Sequence, residues 1–271
     1  MASARSSPRC KCPFNLKAAL TAIMVTHTSI VTGSVIMSDR CDLVPTALLR
    51  LQSWLSPAFP TGSYSYSHGL EWAVEAGCVH DRESLVDWLE ADLSHGSGRN
   101  EAIFFVEGWR CATDGNLAKL FEVGQLAAAF RGTSELALES SQQAAACLAT
   151  LQKVWPDGAL DCLSAALREG DVHPALAVVL GACSARHGVP VNLALPAFLQ
   201  SHVANWVTAG VRLIPLGQTD AQLAIAKLEE AVLCASAHAR KATIEDLGSA
   251  AFMVDLASME HETQYTRLFR S

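Results

Sequence analysis

From residue 46 to 259 the chain is a succession of apolar segments with helical spacing, each stopped by proline or glycine, and that punctuation limits which elements it can form. Leu48, Leu49, Leu51, Trp54 and Leu55 stripe a short helix over 46–55, which Pro57 ends. The pattern then predicts a helix over 68–76 ended at Gly77, and one from Asp81 that carries Leu85, Trp88, Leu89 and Leu93 to the Gly96–Gly98 break. Helices follow over 100–111, 116–130 and 134–155, the last capped at Ser134 and stopped by Pro156. Beyond them come 174–186, a long helix with Pro196 in its first turn running to Pro215, one over 223–239 capped near Thr219 or Asp220, and one over 247–259. The expected fold is all-α, one bundle-like domain over 39–271 with about nine or ten helices.

Composition narrows the class. Aromatics are only 7% of the 271 residues while Ala and Leu are abundant, which disfavours a β-sandwich or barrel, and a hydrophobic content of 50% is enough to bury a sizeable core. Arg5, Arg9, Lys11 and Lys17 have no acidic counterpart before Asp39; without these four cations the formal net charge of −7 becomes −11. An acidic body with no Lys/Arg cluster repels phosphates, so nucleic-acid binding is not expected. The nine cysteines are odd in number and include no Cys-x-x-Cys, a usage that fits a reducing compartment and buried thiols acting as small hydrophobes. Cys10 and Cys12 alone lie close together, a weak metal pair.

Residues 18–38 carry no formal charge, but Thr21, Thr26, His27, Thr28, Ser29, Thr32 and Ser34 dilute the apolar character needed for a signal core or a membrane span. Three readings stand for residues 1–38: a targeting segment, a disordered extension, or a start assigned upstream of Met37. In each case they are expected to lie outside the fold and to be dispensable for folding and binding.

The stretch from Ser56 to Glu71 cannot form one regular helix, because Pro57, Pro60, Gly62 and Gly69 interrupt it. It is a shaped loop whose Tyr64, Tyr66 and His68 either plug the edge of the core or present flat faces with polar tips to a partner. A second break, from Arg212 through Pro215 and Gly217 to Gln218, leaves two readings as well: Arg212 and Gln218 bond freed carbonyls, or they contact a partner. The polar face of Glu135, Glu139, Gln142 and Gln143 on the 134–155 helix reads as solvated. The tail carries Tyr265, Leu268 and Phe269 among Arg267 and Arg270, a composition suited to docking.

No catalytic motif emerges. His261-Glu262 opens like a zinc-protease helix, but position 265 is Tyr, and neither Gly-x-Ser-x-Gly nor a phosphate-binding Gly-Lys-Ser/Thr loop is present. The histidines are isolated in sequence. The alternative to a binding protein is a metal-dependent enzyme whose active site is dispersed through a helical bundle.

The run Pro60-x-Gly62-Ser63-Tyr64-x-Tyr66-Ser67-x-Gly69-Leu70-Glu71, the 134–155 helix with its Gln142-Gln143 pair, the segment 212–222 and the tail 261–271 together resemble the UreF family of urease accessory proteins. That resemblance implies an all-α, cytoplasmic chaperone, commonly a homodimer and not an enzyme. It implies binding to UreD (UreH in some organisms) and, through it, recruitment of the GTPase UreG for nickel delivery to apo-urease. It associates the partner-binding surface with the family's loop and tail arginine, here Tyr64 and Arg267; with the residues of the same loop, break and tail, the expected partner-binding set is Tyr64, Tyr66, His68, Glu71, Arg212, Gln218, Tyr265, Arg267, Leu268 and Phe269. It implies no catalytic residue and no intrinsic cofactor, nickel being handled by the assembled complex. No tight nickel site is expected in the monomer. The tail is expected to be mobile in the free protein and ordered on binding UreD, with the Tyr64 hydroxyl and the Arg267 guanidinium bonding each other or main-chain carbonyls.

Overall fold

The segment Ser97–Thr113 is the helix about which the others gather, because its middle is apolar on every side: Ala102, Ile103, Phe104, Phe105 and Val106 are all buried. Such a run leaves no face for water. The structure is a computed structural model that describes residues 39–271, with side chains from residue 45 onward. In chain order it runs α1 (Asp39–Trp54), α2 (Leu70–Glu75), α3 (Arg82–His95), α4 (Ser97–Thr113), α5 (Leu117–Ala129), α6 (Ser134–Val154), α7 (Gly158–Glu169), α8 (Leu176–Arg186), α9 (Val191–Leu213), α10 (Gln218–Lys227), α11 (Glu229–Ala239) and α12 (Phe252–His261). Short 3-10 turns stand at Ser63–Ser65 and Ile244–Asp246, and no strand occurs among the described residues. The all-α expectation holds. The segment 1–38 lies outside the described residues.

Most boundaries follow from local chemistry. Asp81 accepts the Ser84 N–H and so caps α3, Asn116 caps α5 and Asp157 caps α7, each satisfying a donor that the first turn leaves open. Several details differ from the sequence reading, beginning with α1, which starts at Asp39 and not at 46, and α12, which starts at Phe252 and not at 247. Thr133, not Ser134, caps α6, and α7 is a helix where the pattern assigned no element. The helix expected over 223–239 begins at Gln218 and is interrupted at Leu228, giving α10 and α11. Its first turn is closed by the Asp220 carboxylate reaching back to the Gly217 N–H, so Gly217 is the residue before the helix and Asp220 acts from inside it. Pro196 sits inside α9, whose first residue is Val191.

Helix α8 packs most extensively on α4; α3, α5, α9 and α11 also pack on α4, and α5, α6 and α7 pack on α8 as well. Phe105 of α4 stacks on Phe198 of α9 at 4.8 Å between ring centroids. The buried cysteines behave as hydrophobes: burial pushes the Cys147 thiol up to about 12 and raises that of Cys183. No helix among the described residues is long and apolar enough to cross a membrane.

The α4–α8 contact depends on two glycines. A Cβ on Gly181 would stand 2.1 Å from the Phe105 carbonyl oxygen, and one on Gly108 would stand 2.7 Å from that of Val178. Backbone cannot yield as a side chain does, so a methyl group there forces the helices apart. Gly181→Ala is therefore expected to lower the unfolding free energy by on the order of 3 kcal/mol in urea titration. Gly158→Ala, where the added Cβ meets nothing within 4 Å, is expected to be near neutral.

Candidate functional site

The loop between α1 and α2 folds inward before it turns. Phe59 and Tyr66 are buried, and the Tyr66 hydroxyl donates to Gln142 Oε1 on α6 at 2.9 Å. His68 (φ 59°) and Gly69 (φ 75°) are both left-handed, an uncommon conformation for histidine, and together they swing the chain into α2. Gly69 has a second reason to be glycine: a Cβ there would lie 2.6 Å from the Ser258 backbone nitrogen. This close approach lets α12 lie directly on the loop and on α2.

Glu71, in the first turn of α2, is thereby buried among main-chain donors from the tail. Its Oε1 accepts the Leu268 N–H at 2.6 Å and its Oε2 the Phe269 N–H at 2.8 Å. A buried carboxylate is costly unless it is fully hydrogen-bonded, and here the tail backbone supplies those bonds. Two further main-chain bonds continue the seat, from the Arg270 N–H to the Ser65 carbonyl at 2.9 Å and from the Ser67 N–H to the Ser271 carbonyl at 2.7 Å. The Ser67 hydroxyl donates to the same carbonyl at 2.5 Å, and the Ser271 hydroxyl to Glu139 Oε2 at 2.6 Å. The Phe269 ring is buried, with the Arg212 guanidinium 4.3 Å from its centroid.

Helix α6 supplies the acidic wall of the seat. Glu135 pairs through Oε1 with Arg267 and through Oε2 with His261 Nδ1 at 2.6 Å, while His261 Nε2 lies 3.4 Å from Glu71 Oε2. One turn further, Glu139 is 3.0 Å from His68 Nδ1, within ion-pair range though not aligned as a hydrogen bond. Burial opposes the His68 charge, but Glu139 beside it prevails and holds the imidazole above its ordinary range; burial likewise opposes the Glu139 charge, and His68 with Ser271 holds that carboxyl below its own. Glu139 and His68 also line a cavity of ≈370 Å³ together with Glu101, Arg131, Gln143 and His202. Burial pushes His202 down to about 4, so it is neutral there, and burial keeps the nearby Asp92 above the usual carboxylate range. Among the described residues no group of three or more His, Cys, Asp or Glu side chains is placed to hold a metal ion.

The seat is thus built from an aromatic loop, an acidic helix face and a basic–aromatic tail. The UreF family profile matches residues 79–229. The chain is 49% identical over 225 residues to "Urease accessory protein UreF" of Rhodopseudomonas palustris (strain BisB5), covering 83% of this chain and 91% of that protein. It is 48% identical over 225 residues to the protein of the same name from Bradyrhizobium diazoefficiens (83% and 92% covered), and 46% over 236 residues to that from Granulibacter bethesdensis (85% and 99%). The chain belongs to the UreF family. These relatives are named as accessory proteins rather than as enzymes.

In this UreF chain the residues singled out from sequence divide into two sets. Tyr66, Glu71 and Phe269 are buried and His68 nearly so, all engaged within the chain itself. Tyr64, Tyr265 and Leu268 point outward, being 70%, 101% and 57% exposed. Arg267 bonds Glu135, not Tyr64 or a carbonyl, because an ionised carboxylate is the stronger acceptor. Arg212 donates to the Tyr64 carbonyl at 3.0 Å and so braces the loop, not the helix break from which it comes. Asn205 does the same for Ser63 at 3.1 Å, and Gln218 is an exposed residue opening α10. The tail expected to be loose is seated in the isolated chain.

Sequence reasoning missed Glu135, Glu139, His261 and Ser67. The signal was present in the polar face of α6, where Glu139 and Gln143 are buried under the tail and loop instead of being solvated. Phe269→Ala removes the ring that anchors the tail beneath Arg212. Trypsin is expected to cut after Arg267 at least about tenfold faster in that variant than in the parent, since cleavage tracks the open population and burial of one aromatic ring exceeds 1.4 kcal/mol. Mass spectrometry of the time course reads this directly, with thermal unfolding of the body little changed.

Proposed function

We propose that this chain is the adaptor of urease maturation that binds UreD (UreH) and recruits the GTPase UreG, so that nickel reaches apo-urease within the assembled complex, the chain itself acting as a cytoplasmic homodimer. Family membership supports the reading, and so does the form of the seated tail. Folding buries the backbone and Phe269 but leaves Tyr64, Tyr265 and Leu268 facing out on the surface that the loop and tail share. Exposed aromatic and leucine side chains on a braced backbone are the anchors that interfaces use, because little ordering entropy remains to be lost on binding. Phe252, Met253, Leu256 and Met259 extend exposed apolar surface along α12, which leads into the tail.

Tyr64 gives the cleanest test, since its side chain is largely exposed and Arg267 is tied to Glu135 within the chain. Tyr64→Ala is expected to leave thermal unfolding unchanged, to weaken co-purification with UreD and UreG by about 1–4 kcal/mol, and to lower urease activation in cells. Arg267→Ala is expected to weaken assembly as well, through loss of the seat. Normal assembly by Tyr64→Ala would remove the loop from the interface.

A further inference from the structure

His261, at the end of α12, has none of its side chain exposed and has a carboxylate at each ring nitrogen: Glu135 Oε2 2.6 Å from Nδ1 and Glu71 Oε2 3.4 Å from Nε2. A neutral imidazole carries one ring proton and an ionised carboxylate carries none, so with a single proton one of the two contacts would set lone pair against lone pair in a buried site. Both carboxylates are otherwise committed as acceptors. Glu71 takes the Leu268 and Phe269 N–H groups on its two oxygens, and Glu135 takes Arg267, which has only donors. Glu262, the neighbour of His261, turns its carboxylate to the Ser134 N–H and hydroxyl at the start of α6, and so faces away from the ring.

We infer that His261 is the positioning residue of the tail seat, donating from both ring nitrogens so that one imidazolium fixes Glu71 and Glu135 in the orientation that receives the tail. With the imidazolium and Arg267 set against the two carboxylates, the charges balance two against two. Neither carboxylate is then free to rotate away: Glu71 is held from α12 on one side and from the tail backbone on the other, and Glu135 joins α12 to Arg267.

The test uses the full chain labelled with ¹⁵N in histidine. Ring ¹⁵N shifts at neutral pH are expected to show a bound proton on both nitrogens of His261; a bare nitrogen, whether Nδ1 facing Glu135 or Nε2 facing Glu71, overturns the inference. His261→Gln keeps a donor for one carboxylate but turns a carbonyl towards the other. It is expected to unfold cooperatively like the parent and to raise trypsin cleavage after Arg267 by about tenfold, the size of one lost charge-assisted bond. A His261→Gln tail that resists cleavage as the parent does would equally overturn it.

Discussion

A buried carboxylate that binds main chain governs this end of the molecule. Glu71 leaves water on folding, a step that costs several kcal/mol for an ion left alone, and the seat offsets that cost only while Leu268 and Phe269 offer it their N–H groups. The dependence runs in both directions. Without Glu71 the tail has no acceptor for those two groups, and without the tail Glu71 is a buried charge with His261 as its remaining partner.

That arrangement needs a body that does not give. The glycine contact between α4 and α8 brings two helix backbones to touching distance, and α6, which carries Glu135 and Glu139, packs on α8. On the other side of the seat, Arg212 and Asn205 of α9 hold the Ser63–Ser65 turn by its carbonyls. The loop is thus positioned by one long helix and the acids by another, and the tail lies between them. Buried charges in such a setting serve less as net stabilisers than as a means of selecting one arrangement, because any other leaves a charge unpaired. What remains exposed after the seat is filled, Tyr64, Tyr265 and Leu268, is the part available to a partner.

The fold was largely legible in the sequence because proline and glycine mark helix ends and apolar spacing marks faces, as the stripe of Leu85, Leu89 and Leu93 and the stop at Pro156 show. Helix α7 was not legible: it is a short element flanked by Gly158 and Gly170, and glycine at both ends reads as loop. The site was legible by location but not by role. Tyr66 and Glu71 were picked out as contact residues and prove to be internal, because an aromatic or a carboxylate in a loop looks the same whether its partner is another chain or a distant part of its own. His261 was set aside for lack of a second histidine, yet its partners are Glu71 and Glu135, separated from it by more than a hundred positions, a pairing no local pattern encodes. The polar face of α6 was read as solvated for the same reason.

The tail is already seated in the free protein, so that a partner meets a formed surface instead of ordering one. Amide hydrogen exchange of the isolated chain at Leu268 and Phe269 tests this most directly, since those two N–H groups are the ones Glu71 accepts. Both amides are expected to be protected far above those of an unstructured peptide, in the absence of any partner. Exchange at the unprotected rate at both positions, with protection gained only on adding UreD, would contradict it.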